Sequence, residues 1–181
     1  MDLIETLNEA LKGKFRRFGS NITQTKEECK YFPKNKKELK DIIKERVDKD
    51  RECDLNDVWV GDITDMNFLF HRSYFNGDIS RWDVSNVEYM SDMFSESHFD
   101  GDISSWNVSN VKDMTAMFEN SNFDGDISDW DVSNVKKMSC MFYSSDFSGD
   151  ISSWNVSIVT SMDYMFMFCP LEKNPPKWYV E

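Results

Sequence analysis

The 181-residue chain is poor in the residues that mark ordinary catalytic and metal sites. It has two histidines, His71 and His98, and neither falls in an H-E-x-x-H or any other chemistry-bearing motif. Its four cysteines, Cys29, Cys53, Cys140 and Cys169, form no C-x-x-C pair. That spacing argues against a zinc site or a redox dithiol. There is no G-x-S-x-G nucleophile elbow and no phosphate loop. Positive charge is scarce: 21 Lys/Arg stand against 33 Asp/Glu, a net charge of −12. The imbalance lies in residues 54–181, with 7 basic against 22 acidic, while residues 1–53 hold 14 against 11. An acidic surface repels phosphate backbones, so no nucleic-acid partner is expected. The basic group Lys12, Lys14, Arg16 and Arg17 reads as a solvated face. No apolar run reaches the ~18 residues of a membrane helix, so no membrane span is expected. The opening Met-Asp-Leu-Ile-Glu-Thr-Leu has neither a basic n-region nor an apolar h-region, so no export signal is expected.

Glycine is scarce too, and four of the seven glycines sit in one tetrapeptide. Gly-Asp-Ile-Ser begins at Gly77, Gly101, Gly125 and Gly149, always 24 residues apart, and Trp82, Trp106, Trp130 and Trp154 follow at a constant offset. Aligned copies give F-x-G-D-I-S-x-W-[DN]-V-S-N-V-x-x-M-x-x-M-F, running Phe75–Phe94, Phe99–Phe118, Phe123–Phe142 and Phe147–Phe166. A degenerate copy precedes them, with Leu55, Val60, Ile63, Met66 and Phe70 in the apolar positions and Val58 in the Trp position. A degenerate tail follows, in which Leu171, Trp178 and Val180 match Phe147, Trp154 and Val156 and prolines intervene. A fixed period of this length marks a stacked-repeat protein with atypical terminal units.

Ile79, Trp82 and Val84 carry β-branched and aromatic side chains and read as a short strand. Val87, Met90, Met93 and Phe94 recur at helical spacing, with Ser85 or Asn86 as N-cap and Glu88 completing a capping box in that copy. Stacking such units is expected to give a parallel sheet at about 4.8 Å per turn. The Trp column is expected in the core, its rival being an exposed aromatic ladder for carbohydrate. Cys140 and Cys169, in small-residue slots, read as buried thiols. Residues 1–53 form a helical N-terminal region or cap: Leu3, Ile4, Leu7 and Leu11 suggest one short helix, Gly19, Ser20 and Asn21 a break, and Pro33 opens a second helix with Leu39, Ile42, Ile43 and Val47 on one face. Residues 54–181 form the solenoid of about five 24-residue repeats.

The Ile-x-x-Trp-x-Val strand has the L-x-x-L-x-L form of leucine-rich repeats. With Trp-[Asp/Asn]-Val-Ser-Asn-Val, Met-x-x-Met-Phe and Phe-x-Gly-Asp-Ile-Ser, residues 54–166 resemble the BspA-type leucine-rich repeat surface proteins of bacteria. The resemblance implies a leucine-rich-repeat-like α/β solenoid, with a parallel sheet on one face, short helices or turns on the other and an α-helical N-terminal cap. It also implies adhesion or host-protein binding by a surface or secreted protein, in a family largely of unknown function.

The expected function is that of a non-enzymatic protein-interaction module. The candidate partner-binding face is the exposed strand strip with Arg81, Asp83, Asn107, Asp129, Asp131 and Asn155. The partner is a protein, and no cofactor and no resident metal are assigned. The column Asp78, Asp102, Asp126 and Asp150 has two readings: a calcium ladder, or carboxylates that hydrogen-bond their own turns. The alternatives to an interaction module are a structural repeat segment of a surface assembly and a calcium-stabilised glycan-binding adhesin. Specificity is expected where the copies differ, at Tyr74, Glu96, His98, Glu119, Asn122, Tyr143 and Asp146.

Overall fold

A computed structural model describes residues 23–179. The 24-residue period is a physical coil: Asp65, Tyr89, Asp113, Lys137 and Ser161, one period apart, are joined by isolated parallel bridges. Among the described residues there is no sheet, and the one α-helix, α1, spans Lys36–Val47 in the N-terminal region. The expected leucine-rich-repeat-like solenoid with its parallel sheet and repeat helices is therefore incorrect.

The reason lies in what a spacing of three means here. Trp82 N–H donates to the Ile79 carbonyl (3.1 Å), Val87 to Val84 (2.9 Å) and Met93 to Met90 (3.2 Å), and each bond recurs in the following copies. These are i to i+3 turns, and the residues that open and close them are the buried ones. The stretch read as a helix from Val87 to Phe94 is broken by left-handed backbone, which no helix tolerates. Positive φ recurs at Phe68, Asp92, Ala116, Cys140 and Tyr164, and again at Arg72, Glu96, Asn120, Ser144 and Phe168. Each costs a non-glycine residue about 1–2 kcal/mol. The same stretch is stitched to the next coil by main chain: the N–H groups of Met90, Asp92, Phe94 and Glu96 donate to the carbonyls of Asp113, Thr115, Met117 and Glu119 at 2.7–2.9 Å. The bonds repeat at every coil interface from Met66 to Met167.

The Trp side is joined differently. Each indole N–H reaches back to the coil before: Trp106 to the Ile79 carbonyl (3.2 Å), Trp130 to Ile103 (3.1 Å) and Trp154 to Ile127 (3.2 Å). The Trp residues are buried, which settles the column as core and removes it as an exposed carbohydrate ladder. Asn86, Asn110 and Asn134 likewise donate side-chain N–H to the carbonyls of Gly61, Ser85 and Ser109, and Ile158 ends that ladder. Inside, Phe70, Phe94, Phe118, Phe142 and Phe166 stack at centroid separations of 5.4–6.0 Å. Phe75, Phe99, Phe123 and Phe147 form a parallel stack at 5.9–6.4 Å. The repeat glycine belongs to this second stack. Among the described residues no glycine has positive φ, and a Cβ at Gly125 would lie 2.8 Å from the Phe123 ring.

The ends are closed by different means. In α1 the Asn35 side chain accepts from Glu38 N–H, and Leu39 and Ile43 join the same core cluster as Leu55 and Phe70. Ahead of it, buried Gln24 donates to the carbonyls of Asn56 (2.8 Å) and Val58 (2.6 Å) and accepts from Val60 N–H (3.3 Å). Its amide thus serves the edge of the degenerate first coil, where Val58 replaces Trp. At the other end Trp178 stacks on Trp154 at 6.4 Å and donates to the Ile151 carbonyl at 3.0 Å. Pro170 occupies the place of Asp146 one period earlier and has no N–H with which to repeat the Asp146 to Ser121 bond. The expected helix at Leu3–Leu11, the break at Gly19–Asn21 and the match of Val180 lie outside the described residues.

Candidate interaction surface

The polar strip on the Trp side is built from side chains that hold turns. Asp83 accepts from Ser85 N–H (3.1 Å), Asn107 from Ser109 (3.1 Å), Asp131 from Ser133 (3.0 Å) and Asn155 from Ser157 (3.2 Å). This explains why the repeat accepts either Asp or Asn there: only the Oδ1 acceptor is used. The Ser133 hydroxyl and N–H hold the Asp131 carboxyl below its ordinary value. Arg81 pairs with Glu28 of the N-terminal segment, and its carbonyl accepts from Gln24 N–H at 2.6 Å, so it is engaged by the segment that closes the first coil. Asp129 is exposed and makes no hydrogen bond or ion pair among the described residues. Of the six strip residues, then, four cap turns, one is tied to the N-terminal segment, and Asp129 does neither.

The Asp78 column is a second set of turn caps. Asp78, Asp102, Asp126 and Asp150 each accept from the N–H of the serine two residues on, at 2.9–3.0 Å. The Ser128 and Ser152 N–H groups hold the Asp126 and Asp150 carboxyls low. At Asp78 burial pushes upward, yet the Ser80 and Asn56 hydrogen bonds leave the carboxyl below its ordinary value. Among the described residues no group of three or more His, Cys, Asp or Glu side chains is placed to hold a metal ion.

The variable positions lie on the other flank and pair across coils. Arg72 grips Glu96 with two hydrogen bonds of 2.9 Å, and Asn122 donates to Asp146 at 2.9 Å. Tyr74 stacks on His98 at 4.8 Å, with the Arg51 guanidinium over its ring at 4.6 Å. Burial pushes the Asp92 and Glu119 carboxyls up, and Asp92 adds its own charge at Glu119. Burial also raises all four thiols: Cys169 is buried, as expected, whereas Cys140 is half-buried.

Sequence reading misses two participants. Gln24 sits in a segment with no period, so nothing marks its side chain as part of the fold. The main-chain rows of the Met-Phe flank pass through the repeated Met and Phe, whose side chains take no part in the hydrogen bonds and so do not mark them. A cavity of about 20 Å³ between Thr23, Ser80, Trp82 and Asn107 has room for one water. A groove of about 380 Å³ lies open to solvent beside Gly61, Thr64, Asn86, Glu88 and Asn110. Among the described residues no helix is long and apolar enough to cross a membrane.

A family model described as "Mycoplasma protein of unknown function, DUF285" matches residues 37–145 and 64–179. The chain belongs to that family. The resemblance to BspA-type leucine-rich repeat proteins is corrected by this match and by the sheetless coil. No curated protein and no solved structure matches the chain.

Proposed function

We propose that this member of the DUF285 family is a non-enzymatic protein-interaction module. The observation that carries the reading is the placement of its exposed aromatics. Every signature Trp and Phe of the repeat is buried, whereas Tyr74, Tyr89, Tyr164 and Phe168 stand in variable positions and are 40–62% exposed. Exposed aromatics on a rigid frame are the residues that anchor protein interfaces. The cavity beside Trp82 is itself too small for a metabolite. The acidic repeat region favours a cationic partner face, which would be steered by charge. Asp129 offers its carboxylate from the strip and Asp131 the Oδ2 that its turn leaves unused, and the aromatic flank supplies the apolar anchor.

Chemical crosslinking followed by identification of the joined chain tests this. A discrete partner is expected, with affinity lost on changing Asp129 and Asp131 together to Ala, or Tyr74 and Tyr89 together to Ser. A chain that only associates with itself in sedimentation, or a partner indifferent to both double substitutions, overturns the reading.

A further inference from the structure

The main-chain ladder of the Met-Phe flank does not stop because its donors run out. At each interface N–H groups at alternate positions point toward the following coil, as Met138, Cys140, Phe142 and Ser144 do toward Ser161, Asp163, Met165 and Met167. The equivalent donors of the last coil are the N–H groups of Met162, Tyr164, Phe166 and Phe168, and none has an acceptor among the described residues. The closing segment packs against core side chains, with Trp178 on Trp154 and Tyr179 against Phe166, and accepts from none of these four N–H groups among the described residues. Two of the most exposed aromatics, Tyr164 (62%) and Phe168 (59%), flank this same row.

We propose that this edge docks a segment of a partner chain wound like the repeat's own 113–121 stretch, which lays alternate carbonyls on the N–H groups of Met162, Tyr164, Phe166 and Phe168 and covers Tyr164 and Phe168 with apolar side chains. The occupant is chosen by complementarity with precedent: four aligned donors require four aligned acceptors, and peptide carbonyls fill that place at every earlier interface. A row of unpaired N–H groups is the edge that recruits an added strand in other folds. A second copy of the chain fits less well. Its carbonyl row, at Asp65, Asn67, Leu69 and His71, borders the end closed by α1, whose Lys36 pairs with Asp65. The proposal rests on the interaction-module reading and names one surface for it.

Amide hydrogen exchange on the whole protein, followed residue by residue by NMR, is the test. The probe is a synthetic peptide of residues 113–121, the segment whose carbonyls already receive Met90, Asp92, Phe94 and Glu96. In the free protein the amides of 162, 164, 166 and 168 are expected to exchange fast while those of 138, 140, 142 and 144 are protected. Saturating peptide is expected to slow the former four by about tenfold or more. The proposal is overturned by protection already present in the free monomer, or by protection that follows protein concentration and dimer formation. It is equally overturned by binding without protection, by the same slowing with inorganic phosphate alone, or by no change at millimolar peptide. A partner still captured through Asp129 and Asp131 would leave the broader reading standing when this one fails.

Discussion

The two flanks of each coil solve the same stacking problem by opposite means. On the Trp flank, side chains bridge the coils: indole and Asn N–H groups reach back to carbonyls, and Asp or Asn hold the turns in between. On the Met-Phe flank, main chain bridges the coils directly. The difference accounts for the repeat signature. Where side chains make the joints, residue identity is constrained, and Gly-Asp-Ile-Ser-x-Trp recurs intact. Where main chain makes them, outward positions are released, and the left-handed site holds Phe68, Asp92, Ala116, Cys140 and Tyr164 in turn. Variation collects at the outward positions of the flank whose coils are already joined by main chain.

The largest expected effect breaks the side-chain flank. Trp130→Ala should cost about 3–5 kcal/mol in denaturant unfolding, as large core truncations do. Trp130→Phe should retain much of the packing but still leave the Ile103 carbonyl without its donor. Next is the glycine that admits the Phe ring: Gly125→Ala should cost about 1–3 kcal/mol by overpacking, with no contribution from φ. On the main-chain flank the sign should reverse. Ser144 is exposed with φ of 53°, so Ser144→Gly should stabilise by about 0.5–1 kcal/mol by relieving the left-handed strain. A loss of stability there would contradict the left-handed backbone.

The smallest effect is on pH dependence. The turn-capping carboxyls Asp78, Asp126, Asp131 and Asp150 have folded values below their ordinary ones. Their contribution is therefore fully present above the unfolded value of about 3.9 and is lost as pH falls through the lower folded values. Asp92 and Glu119 have the opposite sign, because burial raises them: their contribution is present at low pH and lost as pH rises through the folded values. Melting temperature followed from neutral pH downward should fall once the caps protonate, and Asp126→Asn, which retains the acceptor, should flatten that fall slightly. Glu119→Gln should raise the melting temperature at pH 7.

The period, the buried Trp column, α1 with its Leu39 and Ile43 face, and the Asp turn caps were legible in the sequence, because each depends on a side chain. The secondary structure of the coil was not. Val84 to Val87 and Met90 to Met93 are three residues apart, a spacing shared by a helix face and by the two ends of a turn. What separates the cases is the sign of φ at Asp92 or Ala116, and neither residue type announces a left-handed backbone. The binding strip was legible only as exposed polarity. That Asp83 and Asn107 are committed to Ser85 and Ser109, and Arg81 to Glu28, emerges only when the coil is closed.

The one-way ladder also gives the molecule an electrical direction. Sixteen N–H groups point toward the C-terminal end, while the columns of Glu88, Lys112, Lys136 and Thr160 and of His98, Asn122 and Asp146 run the other way. Each peptide unit carries a dipole of about 3.5 D, so the surplus sums along the axis. The C-terminal end is the positive pole, the reverse of an α-helix, and every additional coil inserted into the stack would lengthen the array.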